Sequence, residues 1–307
     1  MLMQTHEARL DALRKQLAKD GLDGFVIPIS DEHMSEYVGA YAQRLEWLTG
    51  FGGSAGAAVV LANEAAIFVD GRYTLQVRDQ VDGKLWSYQS VPQTSVAQWL
   101  GQHAPQGAKI GYDAWLHSEG WVESVCAALD KRDAALVPVA HNPVDAVWQD
   151  QPERSLAIAV PHADEHAGQS AHEKRAAVAE WLSSNGYDAT VITALDSVAW
   201  LLNIRGTDVD HTPVALSFVI ANADGTADLF IAPVKVTPEL IAHLGNAVRV
   251  HPRKRFVHAL GEMKGRKVAV DPERSVAAIF HALYQAGAEA VAVTDPVVLP
   301  KAIKNEV

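Results

Sequence analysis

The feature that most constrains this chain is an internal repeat far longer than a solenoid unit. Gly21-Leu-Asp-Gly-Phe-Val-Ile27 lies over Gly186-Tyr-Asp-Ala-Thr-Val-Ile192, and in the same register Asp31 falls on Asp196. After a longer loop in the first copy, Trp47-Leu-Thr-Gly-Phe-Gly-Gly-Ser54 falls on Trp200-Leu-Leu-Asn-Ile-Arg-Gly-Thr207. Both copies then enter paired apolar runs, 57–62 with 65–69 and 215–221 with 227–231. Solenoid repeats of roughly 20–50 residues share one continuous core. Copies this long imply two similarly folded domains, and 307 residues that are 49% hydrophobic suffice to give each a core of its own.

Each copy opens with a helix followed by a strand. Leu10, Leu13 and Leu17 mark a helix over 5–20 that stops at Gly21, and the apolar run 24–29 reads as a buried strand. In the second copy Ser170-Ala-His-Glu173 reads as a capping box, the helix runs to Asn185, and 189–193 is the strand. The first copy continues with helices at 72–81, 95–103 and 118–132 alternating with strands at 85–90, 109–112 and 135–139. The second closes with strand 267–270, helix 276–286 and strand 290–294. Hairpins mixed with βα units predict the α/β class, each domain a mixed β-sheet with helices on both faces. Turn residues and weak periodicity in His141-Asn-Pro-Val-Asp-Ala-Val-Trp148 and Gln151-Pro-Glu-Arg154 put the boundary there, giving domains 1–145 and 155–307. The stretch 295–307 reads as a further linker, with Lys301-Ala-Ile-Lys-Asn-Glu-Val307 as a helix start.

Charge and composition exclude several function classes. With 26 basic against 37 acidic residues the net charge is −11, which repels a phosphate backbone, and the triplet Arg253-Lys254-Arg255 is short, so no nucleic-acid partner is expected. No window reaches the roughly 18 apolar residues of a membrane span, and no signal-peptide core precedes the first helix. A cytoplasmic protein with no membrane partner is expected. The single Cys126, on the helical stretch 118–132, excludes an intrachain disulfide and a thiolate zinc cluster.

Several short motifs mimic catalytic signatures. Gly52-Gly53-Ser54-Ala55-Gly56 fits the G-x-S-x-G nucleophile elbow, but it leads into a strand where the elbow leads into a helix. Gly50-x-Gly52-x-x-Ala55 fails as a dinucleotide fingerprint on the same ground. His162-Ala-Asp-Glu165-His166 has a zinc-ligand spacing that works only on a helix, and Pro161 and Gly168 argue against one. No catalytic residue, metal ligand or cofactor of this chain follows from these motifs. Asp70-Gly71-Arg72-Tyr73 joins a strand end to a helix start, where a side chain can point out of the sheet edge. It reads either as a site or as an N-capping Asp70 with Arg72 in a structural ion pair, for which Asp79 is a candidate partner.

Asp31-Glu-His-Met-Ser-Glu-Tyr37, Leu48-Thr-Gly-Phe-Gly-Gly-Ser-Ala-Gly56, Asp70-Gly-Arg-Tyr-Thr-Leu-Gln76, Pro152-Glu-Arg154, Ala194-Leu-Asp196, Ala199-Trp-Leu-Leu-Asn-Ile-Arg-Gly-Thr-Asp208, His211-x-Pro213 and Lys301-Ala-Ile-Lys-Asn305 occur in that order. Together they resemble the N-terminal half of the three-domain Xaa-Pro aminopeptidases, across nearly the whole chain. The resemblance implies two tandem creatinase N-terminal-like, ribonuclease-H-like domains followed by a pita-bread catalytic domain beyond Val307. That third domain would bind two manganese or other divalent ions through two Asp, one His and two Glu, and would cleave peptides with proline at the second position. It also implies that Arg72 binds substrate, that this chain partners its own C-terminal catalytic domain, and that a homodimer is possible. The fragment alone is expected to be inactive. An alternative of another class is a stand-alone peptide- or protein-binding module of the same fold.

Overall fold

The computed structural model describes residues 5–307, which form two compact units. One comprises the chain up to Asp31 with Ala40–Glu153; the other comprises Glu32–Gly39 with Arg154–Val307.

In the first unit, α1 (His6–Asp20) is capped by the Thr5 hydroxyl, which accepts the Ala8 N–H, and it buries Leu10, Leu13 and Leu17 along one stripe. Then come β1 (Gly24–Pro28), α2 (Arg44–Thr49), β2 (Gly56–Leu61), β3 (Ala65–Val69), α3 (Gln76–Gln80) and β4 (Ser87–Ser90). The unit closes with α4 (Val96–His103), β5 (Lys109–Tyr112), α5 (Glu119–Leu129), β6 (Ala135–Pro138) and α6 (Pro143–Val147). The sheet order is β4-β3-β2-β1-β5-β6. A tight turn joins β2 to β3, a long connection carrying α2 returns the chain from β1 to lie antiparallel to β2, and the remaining neighbours, β3 with β4, β1 with β5 and β5 with β6, are parallel. Phe25, Ile27, Val60 and Ile67 pack on one face while Val26, Val59, Ala66 and Phe68 pack on the other, which is why these strands read as unbroken apolar runs.

The second unit repeats the plan. Its elements are β7 (Val160–Pro161), α7 (Asp164–Ala167), α8 (Ala171–Ser184), β8 (Ala189–Ile192), α9 (Leu195–Leu202), β9 (Ile204–Arg205), β10 (Ser217–Asn222) and β11 (Ala227–Ile231). They continue with α10 (Pro238–Leu244), β12 (Val248–Pro252), α11 (Phe256–Gly261), β13 (Lys267–Val270), α12 (Ala277–Ala286), β14 (Glu289–Ala292) and α13 (Val298–Ala302). The order β12-β11-β10-β8-β13-β14 matches the first sheet position for position, with the same strand directions. Short β7 and β9 pair separately. No helix among the described residues is long and apolar enough to cross a membrane.

Several expected elements change. The helix expected over 72–81 is a 3-10 turn, Gly71–Tyr73, followed by the one-turn α3, because Asp70 pulls the Arg72 N–H into a tight cap. The strand expected from 85 starts at Ser87, since the Asp82 carboxylate accepts the Lys84 N–H and holds a turn. The strand expected from 215 starts at Ser217; the Leu216 N–H before it is taken by the Asp208 carboxylate. The last stretch is not all linker: α13 forms ahead of the helix start expected at Lys301 and ends at Ala302, with Pro300 in its first turn where no helical N–H is needed.

Candidate functional site

Arg72 lies just past the end of β3. Asp70 caps the turn by accepting the Arg72 N–H at 2.9 Å, and the same carboxylate accepts from Nε at 3.1–3.2 Å and from Nη2 at 2.8 Å. The ion pair is therefore to Asp70, two residues away, and not to Asp79. These hydrogen bonds hold the Asp70 carboxyl below its ordinary range. The Arg72 side chain stays 60% exposed, with its guanidinium carbon 5.2 Å from the Tyr73 ring. Tyr73 turns back to the loop before β2, where its hydroxyl meets the Ser54 hydroxyl at 2.8 Å and its ring meets Phe51 edge-on. Gly53 allows that approach: a Cβ there would sit 2.3 Å from Phe51 Cζ and 2.8 Å from Tyr73. The glycines thus serve ring packing, and the loop runs from α2 into β2, not from a strand into a helix as an elbow serine requires.

The arm 32–39 belongs to the second unit. Buried Glu32 accepts from Arg253 Nη2 at 2.7 Å and Arg154 Nε at 3.2 Å. Burial raises its carboxyl, but the neighbouring His33, Arg253 and Arg154 outweigh that and hold it at about 2. His33 Nδ1 donates to the Thr193 carbonyl at 2.9 Å, and the ring stacks on Phe218, over which the Arg253 guanidinium also lies. The first member of the basic triplet 253–255 is thus turned inward. A cavity of about 410 Å³ beside the arm is walled by Met34, Tyr37, Leu195 and Val209, with Asp196 and Arg274 at its polar side. The carboxylate-bearing Glu36 also lines this cavity, so its charged groups are two acidic side chains and one basic one.

The H-x-x-E-H stretch does hold a helix, contrary to expectation, but only the single turn α7, which starts after His162. The His162 and His166 rings lie 6.0 Å apart and Glu165 points to solvent beside His166. Among the described residues no group of three or more His, Cys, Asp or Glu is placed to hold a metal ion. Cys126 is half-buried, and burial pushes its thiol up.

Sequence reasoning missed the buried ion pair of Lys235 with Asp208 and the cluster of Asp228, Arg249 and His251. A signal for the second existed: Asp228, Arg249 and His251 alternate with apolar residues on β11 and β12, where a fully covered sheet would carry apolar side chains on both faces.

Family profiles described as creatinase/prolidase N-terminal domain match residues 9–147 and again 150–307. The probable Xaa-Pro aminopeptidase P of Penicillium rubens is 34% identical over 250 residues, 80% of this chain and 40% of its own length. That of Neosartorya fischeri is 33% identical over 313 residues, 97% of this chain and 47% of its own. The X-prolyl aminopeptidase of Caenorhabditis elegans, a cytosolic enzyme with a dinuclear active site, superposes with a TM-score of 0.91 at 28% identity, over 99% of this chain and 52% of its own. The chain thus spans about half the length of the relatives it matches, and corresponds to their N-terminal part.

Proposed function

Because this chain belongs to the creatinase/prolidase N-terminal domain family, we propose that it is the non-catalytic N-terminal half of a cytoplasmic, proline-specific metalloaminopeptidase. The observation that carries this reading is the superposition of 99% of the chain on the worm X-prolyl aminopeptidase. The chemistry belongs to a C-terminal domain beyond these residues, where two divalent ions, manganese in the first instance, supply an activated water and polarise the scissile carbonyl. This half forms one wall of the substrate cleft and limits access to short peptides with proline second. Homodimerisation is part of the same reading.

Arg72 is the residue assigned to peptide. Asp70 holds one edge of its guanidinium, through Nε and Nη2, and the side chain stays 60% exposed, so a peptide carbonyl or carboxylate meets a group already oriented. At the matching place in the second unit, the turn Pro233–Lys235 carries Val234 outward, so the fold itself does not demand an arginine there.

The test is an aminopeptidase assay with manganese on an Arg-Pro-Pro peptide. It compares this chain, the chain extended by the C-terminal half found in its relatives, and the extended protein with Arg72→Ala. The expected result is an inert half, an extended protein that cleaves before proline, and a KM raised about tenfold by Arg72→Ala, the size of one charge-assisted hydrogen bond. Cleavage by this chain alone would overturn the reading, and unchanged kinetics for Arg72→Ala would remove the arginine from it.

A further inference from the structure

In the second unit, a cavity of about 250 Å³ opens between α11 and the face of the sheet formed by β10, β11 and β12. Its ionisable lining is Asp228, Arg249, His251, Arg255, Glu262 and Arg266. Asp228 and Arg249 form a two-pronged pair at 2.7 and 2.6 Å, and His251 Nε2 lies 2.8 Å from the same carboxylate. Those charges are settled among themselves. The other two arginines differ. Arg266 donates only to neutral oxygens, the Asp188 carbonyl and the Asn222 amide, both at 3.0 Å. Among the described residues nothing pairs with Arg255, and Glu262 faces His258 at 3.3 Å.

Two guanidinium groups without a carboxylate of their own therefore line one concave site, on a chain whose net charge is −11. The cavity sits behind a rigid row: His251 stacks on Phe230, Phe230 meets Phe256 edge-on, and Phe256 stacks on Phe218. Arg255 directly precedes α11, whose buried Phe256 anchors the helix to that row, and Arg266 directly precedes β13, held by its bonds to Asp188 and Asn222. Planar forks of donors lining one pocket of this size match the oxygens of a tetrahedral oxyanion.

We propose that this cavity is a phosphate-binding site, taking inorganic phosphate or the phosphoryl group of a small phosphate monoester, with Arg255 and Arg266 as its principal donors. It is independent of the Arg72 surface and of the proposed peptidase role.

The test is calorimetric titration of the purified chain with inorganic phosphate and with ribose 5-phosphate, against chloride at matched ionic strength. Arg255→Gln, which removes no contact within the fold, is expected to weaken binding about tenfold, and Arg266→Gln similarly, as loss of one charge-assisted bond predicts. Lys131→Gln, the same charge change in the first unit, should leave binding within about twofold, since exposed charges at a distance are screened. Tighter binding of ribose 5-phosphate identifies a phosphate monoester as the ligand, and equal binding identifies the free ion. No heat beyond the chloride control, or equal losses for Arg255→Gln and Lys131→Gln, would overturn the proposal.

Discussion

In the first unit the turn after β3 ends in Tyr73, whose hydroxyl meets Ser54; in the second the turn after β11 ends in Lys235, whose ammonium meets Asp208 away from water. Asp208 directly follows the residue matched to Ser54, so the same two loops are joined in both units by different chemistry. A second pair behaves alike. Arg9 lies over the Trp47 ring and donates to its carbonyl, while at the matching position Lys174 lies over Trp200 and donates to its carbonyl at 3.1 Å. A third concerns the helix ends beneath: α2 ends in Gly50 and α9 in Asn203, both left-handed, with φ of 86° and 48°. Gly50 leaves room for His6, whereas Asn203 uses its amide to hold Lys174, Asp164 and the Gln169 carbonyl. The fold fixes where a contact is needed and leaves its chemistry open.

That comparison breaks most sharply at Lys235. Lys235→Ala strands the Asp208 carboxylate in the core and should destabilise the second unit by about 3–5 kcal/mol, against about 1 kcal/mol in the first unit for Tyr73→Phe. Urea unfolding, with hydrogen exchange resolving β2 from β10, checks it, and equal losses would dissolve the contrast.

Acid should separate the units next. Burial holds His117 at about 4, below its ordinary 6.5, so the first unit is at full strength above pH 6.5 and weakens as pH falls toward 4. Glu32 sits at about 2 against an ordinary 4.5, so its contribution to the second unit is complete above pH 4.5 and fades as pH falls toward 2. Each span amounts to about 3 kcal/mol. Unit-resolved hydrogen exchange across this range should show the first unit loosening at the higher pH. His117→Phe should abolish the upper window and Glu32→Gln the lower; a single shared window unaffected by either would refute the assignment.

The helix ends give a smaller effect. Gly50→Ala forces a Cβ to 2.7 Å from the His6 ring and 3.0 Å from the Gln80 carbonyl in a left-handed backbone, and Asn203→Gly leaves the Lys174 ammonium short of an acceptor. Each should lower stability by about 1–3 kcal/mol in denaturant titrations. The smallest change in stability is expected for Arg72→Ala, within about 0.5 kcal/mol, because its side chain is an exposed surface group and exposed ion pairs contribute little; a larger loss would make its role structural.

Much of the architecture was legible in the sequence because the signals were local. The Ser170–Glu173 capping box, the apolar hairpin strands and the matched tryptophans are set by neighbours a few residues away, and the structure holds all of them. The candidate site was only half legible. Asp70 as the cap of the turn at Arg72 could be read from spacing, but the choice of Asp70 over Asp79 depends on the helix breaking after Tyr73. Glu32 with Arg253, and the ring row from His33 to His251, join residues remote in the chain, and no periodicity reports such a meeting.

The four outermost strands of the two sheets bear on how the chain avoids tangling. A polypeptide that carries one topology twice can, while folding, pair a strand of one copy with the sheet of the other. Here the borders discourage that exchange: β4, β6 and β14 are four residues long and β12 five. β6 stops at Pro138 and β12 at Pro252, neither of which has an N–H to offer a stray strand. Short, proline-ended borders let a duplicated sheet close on its own copy, and keep a chain with two interchangeable blueprints from aggregating through them.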